Sequence, residues 1–419
     1  MTHFSGSPQS AREEWRRYWP VVLGGAMGYS CIGLQTFCFG PFVGAIEQEF
    51  GWSRAQTMSG FTVMSGAAIL FNLLGGLAVD RFGARPVALF GQLLLCLSFA
   101  LLSQADGSMG NWIALWALVA LAVGMMQGPV WTRSIAALFD KGRGLAIAAV
   151  LSGSSLTAAL APLIATALIE AFQWRAALIG TAAIWLGLTL PFSVSLFARP
   201  TGPARSAAAP MGADPASSLP GVTAREAMRQ PAYWLIVGGM FSFILYTMAL
   251  APNLVPLLMS KNISLGAAAQ IAALVGVVGL VARLSVGHLL DIFPTHIVAT
   301  LIFLLPLFGL GLMMQHDPGV GALVIATAIF GATVGAENDV VIYLVSKYFG
   351  MRSFGALLGG INSIAAVAAT MGPIGAGWIY DRTGSYDIML LVLGGVMGLG
   401  ALGMFALGRL QPPVPVPTM

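Results

Sequence analysis

Four ionisable residues stand inside long apolar runs of this 419-residue chain: Arg133, Arg283, Glu337 and Asp339. A charge at the centre of a membrane-spanning helix costs about 2.5–3.5 kcal/mol on insertion scales, so each marks a candidate functional position. Arg133 precedes Lys141 by eight residues, Arg283 precedes Asp291 by eight, and Asp339 precedes Lys347 by eight. At about 1.5 Å per residue these three lie ~12 Å from one end of their helices, and Glu337 about 15 Å in, near the middle of an apolar layer about 30 Å thick. The four are therefore expected to share one layer, as a central binding site requires. A guanidinium stays charged at physiological pH and presents a planar fork of donors that matches a carboxylate in two places. Arg283 and Arg133 are the candidate anchors for a small-molecule carboxylate. A buried carboxylate can exchange a proton as its surroundings change, which makes Glu337 and Asp339 the candidate proton carriers. The alternatives are structural: Arg283 paired with Glu337 or Asp339, and Arg133 reaching down to the membrane surface.

Uncharged polar groups in the same runs could complete such a site or simply bond helix to helix. They are Tyr29, Gln35, Gln127, Asn253 and Asn362. Asn253 stands out because Pro252 and Pro256 flank it and free backbone groups around it, as Pro41 does in the first helix.

The elements that must position these residues are helices in lipid. The composition is 57% hydrophobic and 9% charged, with a mean hydropathy of +0.84. An ordinary soluble domain carries about 25% charged residues. The apolar runs are continuous rather than alternating, which excludes a β-barrel. They fall at roughly 19–46, 56–79, 86–104, 111–138, 145–170, 175–197, 231–260, 265–290, 296–315, 320–347, 353–379 and 385–409. The chain thus reads as a tail (1–18), a six-helix half (19–197), a linker (198–230), a second six-helix half (231–409) and a short tail (410–419). Five prolines between 200 and 220 give the linker its character. The polar start, without a short apolar core and cleavage site, is not expected to be a signal peptide.

Twenty Lys and Arg residues set the orientation. With the N-terminus inside, four (Arg54, Arg175, Lys261 and Arg382) fall on the outer side, and this asymmetry predicts both termini in the cytoplasm. The same loops account for a net charge of +4 and a pI near 9.1, so nucleic acid is not an expected partner. Short loops favour a bacterial inner membrane. Cys31, Cys38 and Cys96 lie in apolar runs and the four histidines are scattered, so neither a disulfide framework nor a metal site is expected. There is no nucleotide-binding glycine loop and no nucleophile elbow, and no cofactor or enzymatic activity is expected.

Shifting the chain by 211 residues superposes Pro41 on Pro252, Ser53 on Ser264, Gly76 on Gly287, Asp80 on Asp291, Lys141 on Arg352, Gly144 on Gly355, Pro162 on Pro373 and Glu170 on Asp381. The halves are repeats, and an even number of spans makes them parallel.

The loop after the second helix reads Gly76-Leu-Ala-Val-Asp80-Arg81-Phe-Gly83-Ala-Arg85. It closely resembles the signature loop of the major facilitator superfamily. Gly76 is expected to permit close helix approach, Asp80 to pair with neighbouring cations, and Gly83 to turn the chain so that Arg81 and Arg85 reach the surface. The second copy keeps Gly287 and Asp291. The resemblance implies an all-α membrane protein: twelve transmembrane helices in two parallel six-helix repeats, the major facilitator fold.

Leu138-Phe-Asp140-Lys141-Gly-Arg143-Gly-Leu145-Ala146 and Gly279-Leu-Val-Ala-Arg283-Leu-Ser-Val-Gly287 look like stretches of the monocarboxylate-transporter family and its bacterial relatives. Glu49-Phe-Gly51-Trp52-Ser53-Arg54 and Gly335-Ala-Glu337-Asn-Asp339 look like the bacterial members. The resemblance favours Arg283 as the substrate anchor. In the animal carriers an aspartate stands four residues before that arginine, where this chain has Gly279, so any proton coupling must use another group. The expectation is a proton-coupled importer of a small organic monocarboxylate, working as a monomer by alternating access. An anion exchanger without proton coupling, an exporter of amphiphilic compounds and a ligand sensor with a carrier fold are the competing readings.

Overall fold

In the computed structural model, residues 10–197, 221–350 and 352–410 are described, so most of the expected linker lies outside the described residues. Twelve long helices follow in order: α1 (Ala11–Phe50), α2 (Arg54–Phe82), α3 (Ala84–Gln104), α4 (Met109–Ala136), α5 (Arg143–Ala171), α6 (Trp174–Leu196), α7 (Pro231–Leu250), α8 (Leu265–Ile292), α9 (Thr295–Met313), α10 (Val320–Phe349), α11 (Phe354–Thr383) and α12 (Asp387–Leu407). Eleven pass as membrane spans outright, and α2, bent by 48° between Ala67 and Leu70, is the twelfth. The molecule is a multi-pass membrane protein.

Sequence punctuation explains the ends and breaks. Ser53 caps α2 reciprocally with Gln56, and Ser264 caps α8 at the matching point of the repeat. Gly83 takes φ +87°, the turn expected of the signature loop. The α1 run passes through two tight turns at Cys31–Gly33 and Gly40–Phe42, and α7 stops at Leu250 before a short helix resumes at Leu254–Ser260. The two proline-marked breaks meet: a side chain at Gly40 would lie 3.1 Å from the Pro252 carbonyl. The α1 helix also begins earlier than the apolar run. Ser10 caps it, and the Glu14 carboxylate accepts from the backbone of Asp140, Lys141 and Gly142 at 2.8–3.2 Å, pinning the helix to the α4–α5 turn. The α4 run, expected to be unbroken, parts at Met126–Gln127, just before Pro129.

Two apolar cores result. One joins α1–α6 around Phe39, Phe61, Trp112 and Trp116; the other joins α7–α12 around Phe243, Tyr246, Phe303 and Phe330. Ala158 of α5 packs into the second core, because α5 crosses α8 where a side chain on Gly276 would collide with Ser155 and Ala159. In the same way, α11 crosses α2 where Gly377 abuts Arg54 and Ala55. Both crossings lie toward the end of the bundle marked by Arg54. The opposite end carries Asp80, Arg81 and Lys347 and is called here the basic end.

Candidate functional site

The site begins with how closely α8 and α10 approach. A Cβ on Gly331 would lie 2.8 Å from the Cα of Val275, and one on Gly335 would overlap the carbonyl of Gly279. Both contacts join residues 56 apart, so the helices run parallel in fixed register. A Cβ on Gly279 would sit 3.0 Å from the Gly331 carbonyl, so a larger side chain there would be crowded. One turn toward the basic end, the same register aligns positions 283 and 339, and two turns further it aligns 291 and 347. Position 337 falls about half a turn round α10 from Gly335. The side chains of Asp291, Glu337 and Asp339 lie outside the described residues.

Arg283 is half-buried, and its Nε donates to the Gly335 carbonyl at 3.3 Å, its protein acceptor among the described residues. It helps line a cavity of about 20 Å³ together with Phe37 of α1, Ser154 and Ser155 of α5, and Gly279 and Gly335. That volume holds little more than a water molecule, so a substrate's body must lie outside it. The Tyr29 hydroxyl lies within electrostatic reach of the Arg283 guanidinium. Both halves therefore contribute to the surroundings of one half-buried cation. Phe37, Ser154 and Ser155 were missed in the sequence; the small polar run Gly153-Ser154-Ser155 within α5 was the available signal.

Arg283 also marks where the halves part. Gly276 is pressed against α5, and Arg283 lies seven residues on, on the same face of α8. On the α2–α11 side, Ala55 meets Gly377 and the Thr62 hydroxyl reaches the Thr370 carbonyl at 3.3 Å, an antiparallel register that two turns on pairs Leu70 with Asn362. There the contact has opened: Leu70 is 59% exposed, Asn362 is exposed, and α2 has just bent. Asn362 thus stands on the face of α11 that turns toward the other half.

The remaining expected site residues lie elsewhere. Arg133 donates to Asp80 at 2.7 Å, and both side chains are more than half exposed. Its guanidinium pairs with the signature-loop carboxylate at the basic end instead of joining Arg283. Asn253 is fully buried; it donates to the Ala249 carbonyl at 2.9 Å and accepts from the Tyr386 hydroxyl at 3.3 Å, which puts it with the Arg54 end. Gln127, half-buried at the α4 break, donates to the Val123 carbonyl, and Gln35 to that of Ile32. In the signature loop, Arg81 reaches the surface, while Arg85 bonds the Val194 carbonyl of α6 at 2.6 Å. The close approach expected of Gly76 falls instead to Gly75, which abuts the Gly124 carbonyl; Gly76 has open space around it. The two glycines are adjacent in sequence and about 100° apart on the helix, so only one can face α4.

A family model described as Major Facilitator Superfamily matches residues 25–315, well over half of the chain. The chain belongs to the major facilitator superfamily. It is 25% identical over 407 residues to monocarboxylate transporter 12 of Rattus norvegicus, covering 90% of this chain and 83% of the relative. It is 24% identical to human monocarboxylate transporter 11 over 81% of this chain and 72% of the relative. Against the uncharacterized MFS-type transporter YhjX of Escherichia coli K12 the identity is 23%, over 81% of this chain and 82% of the relative. Two solved structures share the fold. A mutant of the nucleoside transporter NupG gives a TM-score of 0.72 at 14% identity, over 93% of this chain and 99% of that one. A bacterial homolog of the human lysosomal transporter Spinster, inward-facing and unoccupied, gives 0.67 at 16%, over 94% of each. The present chain is a transporter of the same superfamily, and Arg283 is a half-buried cation at its inter-half junction.

Proposed function

We propose that this transporter imports a small organic monocarboxylate by proton symport and alternating access, across a bacterial inner membrane with its basic end in the cytoplasm. The observation that carries the reading is Arg283: a half-buried guanidinium at the apex of the opening between the halves, with one donor on Gly335 and hydroxyl-bearing side chains beside it. Such a group recognises a carboxylate through paired, charge-assisted bonds. The names of the relatives, monocarboxylate transporters, favour the same substrate class.

In this reading the described state opens to the cytoplasm. The carboxylate docks on Arg283, with Tyr29 and Asn362 contributing from α1 and α11. Asp339, in register with Arg283 across the α8–α10 crossing, is the favoured proton site, and Glu337, about half a turn round the same helix, is the second candidate. Asp80 and Arg133 belong to the inner signature-loop network with Arg81, Gly83 and Arg85. The monomer suffices, because the site lies between two halves of one chain.

Radiolabelled uptake into proteoliposomes, run with short, aromatic and longer monocarboxylates, tests the proposal. Expected is accumulation of one class under an inward proton gradient, lost in Arg283→Ala, with gradient dependence lost in Asp339→Asn. Gradient-indifferent exchange would replace symport by anion exchange. No carboxylate flux in a well-folded preparation would sink the substrate assignment.

A further inference from the structure

The Arg54 end is closed by a structure of its own, away from Arg283. Asp381, in the last turn of α11, accepts from the backbone N–H groups of Arg54 at 2.7 Å and Ala55 at 2.9 Å, the first two residues of α2. These are donors that a helix leaves without an internal partner, at its positive dipole end. A carboxylate from one half thus sits on the N-terminus of a helix in the other.

The Arg54 side chain, 8% exposed, crosses the same boundary. It is held on its own half by Glu47, donates to the Tyr386 hydroxyl and lies 4.6 Å from the centre of the Tyr380 ring. Tyr386 passes the chain on to the buried Asn253 at 3.3 Å. Tyr380, Asp381, Tyr386 and Asn253 all belong to the second half, so backbone and side chain of one residue both bridge the junction.

The 211-residue repeat supplies a second copy. It carries Asp381 onto Glu170 and Ala55 onto Gly266, and Glu170 Oε1 lies 3.3 Å from where a Gly266 side chain would begin. A carboxylate at the end of the fifth helix of each repeat therefore reaches the start of the second helix of the other. The copies differ in their clamp. The position matching Arg54 is Leu265, and the one matching Tyr386 is Arg175, which is occupied by Glu49 and the Ala105 carbonyl.

We propose that these pseudo-symmetric carboxylate-to-helix contacts are the latches that hold the Arg54 end shut, and that they are unequal, with the Asp381–Arg54 arm setting the conformational equilibrium of the cycle. Opening that end requires Asp381 to release two backbone donors and Arg54 to leave Tyr386, whereas the position of Arg54 in the Glu170 arm is held by Leu265. This holds whatever molecule is carried.

The full-length carrier in nanodiscs, its three buried cysteines replaced by alanine, tests this by distances between spin labels without any substrate. One pair, Gln104→Cys and His316→Cys, spans the Arg54 end at exposed positions outside the latch; a second, Phe82→Cys and Met228→Cys, spans the basic end. In the otherwise unaltered chain the first pair gives a short distance. Asp381→Asn and Arg54→Gln are each expected to raise the ratio of long to short distances by about tenfold, with the second pair shortening in step. Glu170→Gln is expected to move it far less, and Asp381→Glu to keep the short distance. Unchanged distances in Asp381→Asn and Arg54→Gln would overturn the latch, and an equal response to Glu170→Gln would overturn its inequality. A first pair that lengthens without the second shortening would show local unfolding and overturn the assignment as well.

Discussion

At the residue scale, the candidate anchor is a guanidinium whose acceptor among the described residues is a backbone carbonyl. Arg283 gives one N–H to the Gly335 carbonyl, and in the proposed function its fork takes the carboxylate. Lysine would preserve the charge but lose the two-point geometry. Arg283→Lys is therefore expected to weaken apparent substrate affinity by about tenfold or more in concentration-dependent uptake, with Arg283→Ala lower still. The same residue was legible in the sequence, because a charge inside an apolar run is costly enough to signify. Its neighbours were not: Ser154 and Ser155 cost little in a membrane helix, and nothing in the sequence says that α5 turns them toward α8. Arg133 shows the converse. Counting back from Lys141 sets it about 12 Å deep, but its helix ends at Leu138, five residues on, and the side chain ends on Asp80.

At the element scale, glycine contacts fix which residues of neighbouring helices share a level. The Gly331–Val275 and Gly335–Gly279 contacts lock α8 to α10. Gly335→Leu has to push the two backbones apart, at a cost of about 1–3 kcal/mol. A melting temperature several degrees lower in detergent is the expected result, read by a thermal-shift assay. Gly279→Asp is expected to behave similarly and to confer no added proton coupling, since the new side chain meets the Gly331 carbonyl before it can approach Arg283. Retained stability with altered pH dependence of uptake would contradict that reading. The breaks at Pro41 and Pro252 follow from proline's missing donor and were legible; that they meet face to face was not.

At the scale of the whole molecule, the two halves touch at the Arg54 end and part beyond Thr62 and Thr370. Gly66, one turn beyond Thr62, already has open space around it, and Leu70 and Asn362 beyond it are both exposed. A cysteine placed at Asn362, in a background without the three native cysteines, is expected to react with a membrane-impermeant thiol reagent added at the basic end. Added at the Arg54 end, the reagent is expected to react far more slowly. Labelling from oriented vesicles therefore tests the opening and, with the vesicle sidedness known, the cytoplasmic placement of the basic end. Equal labelling from both sides would contradict a single closed end.

The sequence by itself determined the helices, their order and the repeat. These depend on properties local to one segment: apolar length, caps and prolines. The tertiary structure decided which polar groups meet. Asp381 and Arg54 lie 327 residues apart, and Arg133 and Asp80 lie 53 apart. The direction a side chain faces and the partner it finds depend on how helices cross. Those crossings are set by close contacts such as Gly276 on α5 and Gly377 on α2, which no single segment encodes. For that reason Asn253, expected beside the substrate, belongs in the structure to the closed end with Tyr386, while Gly75 rather than Gly76 carries the helix contact beside the signature loop.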